Sequence, residues 1–176
     1  MRLFSAIPFP EHLKDKVREL TRGRLPVPYV NVTNLHVTIN FFGDLETDQT
    51  KRLIQIFPEA LNNKATFKLY FDQITKFHHQ IHMTLKDNPQ LIALQAEMHK
   101  YFDKHGFGLQ DRAFYPHVKL ANLHMDKVMH RERKIENFPN NELSQLDFVA
   151  EKVVLYESKL LLHHAHHKPV AEIALT

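Results

Sequence analysis

Two stretches decide the fold: Leu35-His36-Val37-Thr38-Ile39-Asn40-Phe41 and Tyr115-Pro116-His117-Val118-Lys119-Leu120-Ala121. Each alternates apolar residues with a histidine and a second polar residue two positions on. Successive side chains of a β-strand point to opposite faces. The first stretch is thus predicted to carry His36, Thr38 and Asn40 on one face and Val37, Ile39 and Phe41 on the other. In the second, His117 and Lys119 oppose Val118 and Leu120. Side by side, two such strands would bring two imidazoles and two phosphate-capable groups to one point. That set is sufficient for acid–base chemistry on a phosphodiester.

Working outward, Leu3 to Pro8 reads as a first strand and Pro10-Glu11 opens a helix with Phe9, Leu13, Val17 and Leu20 on one stripe. The first histidine strand ends at Gly43-Asp44, and Asp48 is the expected N-cap of a helix carrying Leu53, Ile54 and Phe57, ended or kinked by Pro58. Two alternating runs, Ala65 to Phe71 and Ile81 to Leu85, read as paired strands. Asn88-Pro89 starts a helix with Leu91, Leu94, Met98 and either Tyr101 or Phe102 inward, stopping near Gly106. After the second histidine strand, Met125 to Asn141 reads as an irregular connection. Phe148 to Tyr156 and Val170 to Leu175 read as closing strands around a His163-His164-Ala165-His166-His167 loop. This order mixes helices with antiparallel strands, an α+β class. The helix–loop–histidine-strand unit occurs twice, and residues 1–176 read as one two-lobed domain.

Composition narrows the chemistry. The chain has 176 residues, a net charge of +3, 14 histidines, 4 glycines and no cysteine. Thiolate metal sites, disulfides and cysteine nucleophiles are therefore excluded. No G-x-G-x-x-G or Walker sequence is present, so any phosphate must be held by side chains. No apolar run reaches the roughly 20 residues of a membrane span, and the first residues do not form a secretory signal. A cytoplasmic location without membrane association is the expectation.

A lone H-x-T carries little information in so histidine-rich a chain, and His82-Met83-Thr84 also fits the pattern. His82 is read as a residue on the polar face of a sheet, outside the site. The same layout recurring on two strands, each after a helix and a loop, is what singles out His36 and His117. The run from His163 to His167 is read as a solvated loop with adventitious metal affinity, and Arg131 to Lys134 as a solvated charged face. No metal ligand set is assigned.

These residues resemble the two signature motifs of the two-histidine (2H) phosphoesterase superfamily, in the branch of the RNA 2′,3′-cyclic phosphodiesterases, historically called 2′-5′ RNA ligases. Arg2-Leu3-Phe4 with Ala6-Ile7-Pro8 resembles its opening strand, Asn34-Leu35-His36-Val37-Thr38 its first motif, and Pro116-His117-Val118 its second. Asp111-Arg112 with Phe114, and Leu155-Tyr156-Glu157-Ser158, extend the resemblance over nearly the whole chain.

The resemblance implies two pseudo-symmetric lobes, each an antiparallel sheet with outer helices, around an active-site cleft. It implies hydrolysis of a 2′,3′-cyclic phosphate at an RNA or nucleotide terminus to a 2′-phosphate, without metal or cofactor, by a monomer needing no protein partner. His36 would be the acid, His117 the water-activating base, and Thr38 and Lys119 the phosphate-binding pair. Asn40, Tyr115 and Asn122 are candidate substrate contacts, with Tyr115 able to stack on a base. The chain departs from the family where Lys119 replaces the usual threonine or serine. Its positive charge is expected to lower the pKa of His117. Asn122 likewise stands where the family often has arginine. Rival readings are a phosphodiesterase for 2′-5′ oligonucleotides or small cyclic nucleotides, a non-catalytic binder of RNA ends, and metal binding through the His163–His167 run.

Overall fold

The computed structural model describes residues 1–25, 27, 30–123, 135, 138–160 and 165–176. Its elements are β1 (Arg2–Pro8), α1 (Glu11–Thr21), β2 (His36–Asp44), α2 (Thr47–Ala60), β3 (Phe67–Leu69), β4 (Phe71–Phe77), β5 (Gln80–Leu85), α3 (Pro89–Lys104), β6 (His117–Asn122), a 3-10 helix (Asn140–Leu146), β7 (Phe148–Ala150), β8 (Lys152–Leu160) and β9 (Ala165–Ala174). The class is α+β. No helix among the described residues is long and apolar enough to cross a membrane.

All the larger strands lie in one antiparallel sheet of order β4-β5-β6-β2-β1-β8-β9. A three-stranded half, β4-β5-β6, meets a four-stranded half, β2-β1-β8-β9, at the seam between β2 and β6. That seam carries a single register pair, Val37 with Val118, whereas β1 and β2 are paired from Arg2–Asp44 to Pro8–His36. Val37 and Val118 are both fully buried. They belong to the hydrophobic cluster that also takes Val17 and Leu20 from α1, Leu53 and Phe57 from α2, and Leu91, Met98 and Phe102 from α3. Helix packing thus claims one face of the sheet and leaves the opposite face of β2 and β6 for polar side chains.

The alternation predicted for β2 holds only as far as Ile39. Register passes from Ala6–Thr38 to Ser5–Asn40, so Ile39 is an extra residue, and a second slip follows at Phe42. A bulge of this kind reverses which side chains face which way. Asn40 consequently turns to the core side, only 4% exposed and with its Oδ1 unpartnered, while Phe41 emerges to 48% exposure. The expected face of His36, Thr38 and Asn40 is therefore reduced to His36 and Thr38.

Other boundaries also moved. Glu46, not Asp48, caps α2: the Gln49 side chain accepts from the Glu46 backbone N–H at 3.1 Å, one arm of a capping box. The run from Ala65 to Phe71 divides at Tyr70, whose carbonyl accepts from Lys86. Its first part, β3, pairs with β7 in a separate two-stranded sheet, and only β4 pairs with β5. The strand expected from Phe148 to Tyr156 likewise divides at Glu151, whose carbonyl accepts from Leu175. β9 begins at Ala165 rather than Val170, so Ala165, His166 and His167 are strand, not loop. His163, His164 and the Arg131–Lys134 run lie outside the described residues, as does most of the expected irregular connection from Met125 to Asn141.

Phe102 sits where the helices close on the sheet, with ring centroids at 5.0 Å from Phe42, 6.1 Å from Phe57 and 6.2 Å from Phe107. Phe102→Ala is expected to cost about 3–5 kcal/mol of stability. Urea unfolding measures it; a loss below about 1 kcal/mol would contradict this packing.

Candidate active site

Counting outward from the antiparallel pair Val37–Val118 places Thr38 opposite His117 and His36 opposite Lys119. The two motifs are related by a local two-fold about the seam. Each histidine–polar pair shares a face because the strand period is two, and no bulge intervenes before Ile39 on β2 or before Leu120 on β6. The two catalytic candidates and the two phosphate-binding candidates therefore occupy one patch of one sheet face.

Both imidazoles are oriented by the same local device. His36 Nδ1 lies 2.7 Å from the Asn34 carbonyl, and His117 Nδ1 lies 2.8 Å from the Tyr115 carbonyl. A carbonyl only accepts, so in each neutral ring Nδ1 holds the proton and Nε2 keeps the lone pair. His36 Nε2 is 3.1 Å from Thr38 Oγ1, which donates to it. Asn34 is itself anchored, its Nδ2 donating to the Ala165 carbonyl at 2.5 Å, which ties the first motif to the start of β9. Two rings fixed at Nδ1 and presenting Nε2 are prepared for proton transfer at Nε2.

The electrostatics are one-sided. Burial pushes the His36 pKa down to about 4, with His167, Lys119 and His117 adding to the depression and the Asn34 carbonyl opposing it. His117 is lowered by burial and by Lys119, the direction expected of that lysine, against an opposing hydrogen bond from its imidazole to Tyr115. Burial also lowers Lys119, and His167 is lowered by burial, Lys119 and His166. Lys119 has no ion-pair partner among the described residues. Among the described residues the charges acting on these imidazoles are cationic, without a carboxylate. Such a patch is suited to an anion, which would reverse each depression.

Aromatic side chains wall the patch on both sides. On the His36 side, Phe4 lies 4.9 Å away, and His167 meets His36 edge-on at 5.4 Å. Tyr156 stacks on Phe4 at 5.4 Å. A cavity of about 330 Å³ opens here, lined in part by His36, Asn34, Tyr156, His167, Lys14 and Lys152. On the other side His82 is stacked flat on His117, with centroids 3.9 Å apart and planes at 16°. Phe77 stacks on His82 at 5.4 Å and on Tyr115 at 5.6 Å.

Of the candidate substrate contacts, Tyr115 stands beside His117 at 5.4 Å and is 45% exposed. Asn122 is exposed and pairs with Gln80 at the end of β6, while Asn40 is turned away. Sequence reading set His82 aside and treated His167 as loop. His82 is brought in by the pairing of β5 with β6, which aligns it with Lys119. His167 is brought in because β9 runs further than its apolar alternation indicates, aligning it with Ser158. No group of three or more His, Cys, Asp or Glu among the described residues is arranged to hold a metal ion.

Lowered histidine pKa values have a consequence for stability. With His36 and His82 at about 4 in the folded state and 6.5 as their ordinary value, the unfolded chain binds more protons across that interval. Stability is thus complete above pH 6.5 and lost as pH falls towards 4, at roughly 1.4 kcal/mol per pKa unit for each group. Urea unfolding between pH 7 and 4.5 is expected to show this slope, reduced in a His36→Gln/His82→Gln double variant. An identical slope in the double variant would contradict the assignment.

Residues 9–160 match the model of the 2′-5′ RNA ligase superfamily. An RNA 2′,3′-cyclic phosphodiesterase of Methanocaldococcus jannaschii is 22% identical over 91% of this chain and 92% of its own. One of the same name from Archaeoglobus fulgidus is 23% identical over 88% and 92%. Among solved structures, E. coli LigT complexed with NADP+ superposes with a TM-score of 0.80 at 20% identity, covering 99% of this chain and 97% of LigT. LigT complexed with 3′-AMP gives 0.77 at 20% identity and the same coverage.

Proposed function

Since the chain belongs to the 2′-5′ RNA ligase superfamily, we propose that it hydrolyses 2′,3′-cyclic phosphate ends of RNA or nucleotides to 2′-phosphates, using His36 and His117 as acid and base. Relatives that carry the name RNA 2′,3′-cyclic phosphodiesterase place the enzyme among cyclic phosphodiesterases. The observation that carries the mechanism is the pair of imidazoles, each fixed at Nδ1 by the carbonyl two residues upstream and presenting Nε2 beside the β2–β6 seam.

The chemistry requires one proton to be taken up and one delivered. His117 Nε2 takes a proton from water as the water oxygen bonds to phosphorus, the P–O3′ bond breaks, and His36 Nε2–H protonates the departing O3′. The phosphate stays on O2′, and exchange with solvent restores the two protonation states. In the free protein both histidines are depressed and neutral at pH 7, so the acid gains its proton together with the anionic substrate, whose charge raises the pKa of His36. Thr38 Oγ1, within reach of His36 Nε2, turns its hydroxyl to a non-bridging oxygen, and Lys119 supplies a point charge on the other. The proposed scheme gives every proton carried and every oxygen held to a side chain and calls on no metal. The aromatic walls give a nucleoside surfaces to stack on, with Tyr115 on the His117 side. Nucleotide ends bearing a cyclic phosphate are the proposed partners, and the cytoplasm is the proposed compartment.

Hydrolysis of 2′,3′-cyclic AMP in EDTA tests the reading. Wild type is expected to give 2′-AMP alone, and His36→Ala and His117→Ala each to lose about 10²–10⁴-fold in kcat. Formation of 3′-AMP, dependence on added metal, or full activity in either variant would overturn it.

A further inference from the structure

His82 belongs to the second of the chain's two H-x-T triplets, and its neighbours are unlike those of an ordinary strand histidine. It is only 2% exposed and lies on the site face of β5, aligned in register with Lys119, while Thr84 is aligned with His117. Its Nε2 is held 2.7 Å from Gln80 Oε1, which fixes the ring edge, and its Nδ1 is buried without a partner. The flat face of the ring is what it offers, and that face lies against His117 at 3.9 Å with planes only 16° apart. Phe77 flanks the ring, with centroids 5.4 Å apart and planes at 25°.

We propose that His82 is a positioning residue for the water-activating histidine: its ring, held by Gln80 and flanked by Phe77, excludes water from one face of His117 and sets the plane in which Nε2 points. The proposal rests on His117 acting as the base. Position and solvation are both at stake, because a displacement of about 1 Å at a reacting group can cost about a hundredfold in rate. The Tyr115 carbonyl holds the Nδ1 edge of the His117 ring, and the flat stack on His82 further limits tilting of the ring out of that plane. Covering one face also contributes to the burial that holds the His117 pKa down and keeps the ring deprotonated. The other titratable groups facing this pair are Lys119 on β6, Tyr115 before it, His36 across the seam and, against Phe77, His78. Protonating His82 would place like charge beside His117 and Lys119, and His82 is accordingly lowered to about 4, first by burial and then by those two groups. It remains a neutral flat ring over the working range.

The test compares His82→Ala, His82→Leu and His82→Phe with wild type on 2′,3′-cyclic AMP, with His117→Ala as reference. The titration midpoint of His117 is followed by NMR, its signal assigned by its absence in His117→Ala. Loss of the flat ring in the Ala and Leu variants is expected to lower kcat about tenfold or more with little change in KM. It is also expected to move the His117 midpoint up towards 6.5. His82→Phe, which keeps a flat ring without titratable nitrogens, restores both. Leu matching wild type in kcat and midpoint would overturn the proposal, as would Phe proving as defective as Leu. His117→Ala retaining wild-type turnover would instead remove the catalytic reading beneath it. An inactive His117→Ala with wild-type behaviour in every His82 variant would remove only the role given to His82.

Discussion

One register pair, Val37 with Val118, holds the two halves of the sheet together at their seam, and the site depends on it. Both valines are fully buried in the common core. Their strands run antiparallel, so the polar residue on either side of each valine is presented on the opposite face with two-fold symmetry. His36 and Thr38 from one motif thereby meet Lys119 and His117 from the other. The symmetry is built into the backbone, and the chemistry differs only in which phosphate-binding group each strand supplies.

The cost of this arrangement is electrostatic. Four imidazoles, His36, His82, His117 and His167, gather near Lys119, buried enough to be held neutral, and no carboxylate among the described residues acts on them. Ordinary folding requirements would place an aspartate or glutamate nearby, or apolar residues instead. In the proposed mechanism an anionic substrate supplies the missing charge. Binding and protonation would then be coupled: a bound phosphate would raise the pKa values that burial and Lys119 have lowered, and the proposed acid would become charged only when there is a leaving group to protonate. Lys119, in place of a hydroxyl residue, increases that coupling at His117.

Legibility in the sequence followed the range of the interactions concerned. Alternation located β6 and the sides of His117, Val118, Lys119 and Leu120 correctly, because the strand is regular until Leu120 and each side is decided by adjacent residues. It misplaced Asn40, because the extra residue at Ile39 shows itself only in the pairing with Ser5 and Ala6 on another strand. His82 was set aside for a similar reason. Its importance comes from β5 lying beside β6, and nothing within Gln80 to Leu85 reports that neighbour. His167 was read as loop because the apolar pattern of β9 is weak where the histidines begin, although backbone pairing to β8 continues there. Helix spans were readable from their apolar stripes, but the cap of α2, a Glu46–Gln49 exchange rather than an aspartate, was misassigned, and α2 runs past Pro58 to Ala60.

The central claim is that two imidazoles from opposite sides of the seam act on one phosphate group. Titration of the ¹⁵N-histidine-labelled protein with 2′-AMP, followed at the ring nitrogens, tests this most directly. The account predicts that the Nε2 signals of His36 and His117 shift together along a single binding curve, with the pKa of both raised in the complex. A shift confined to one of the two histidines, or saturation at different ligand concentrations, would contradict it.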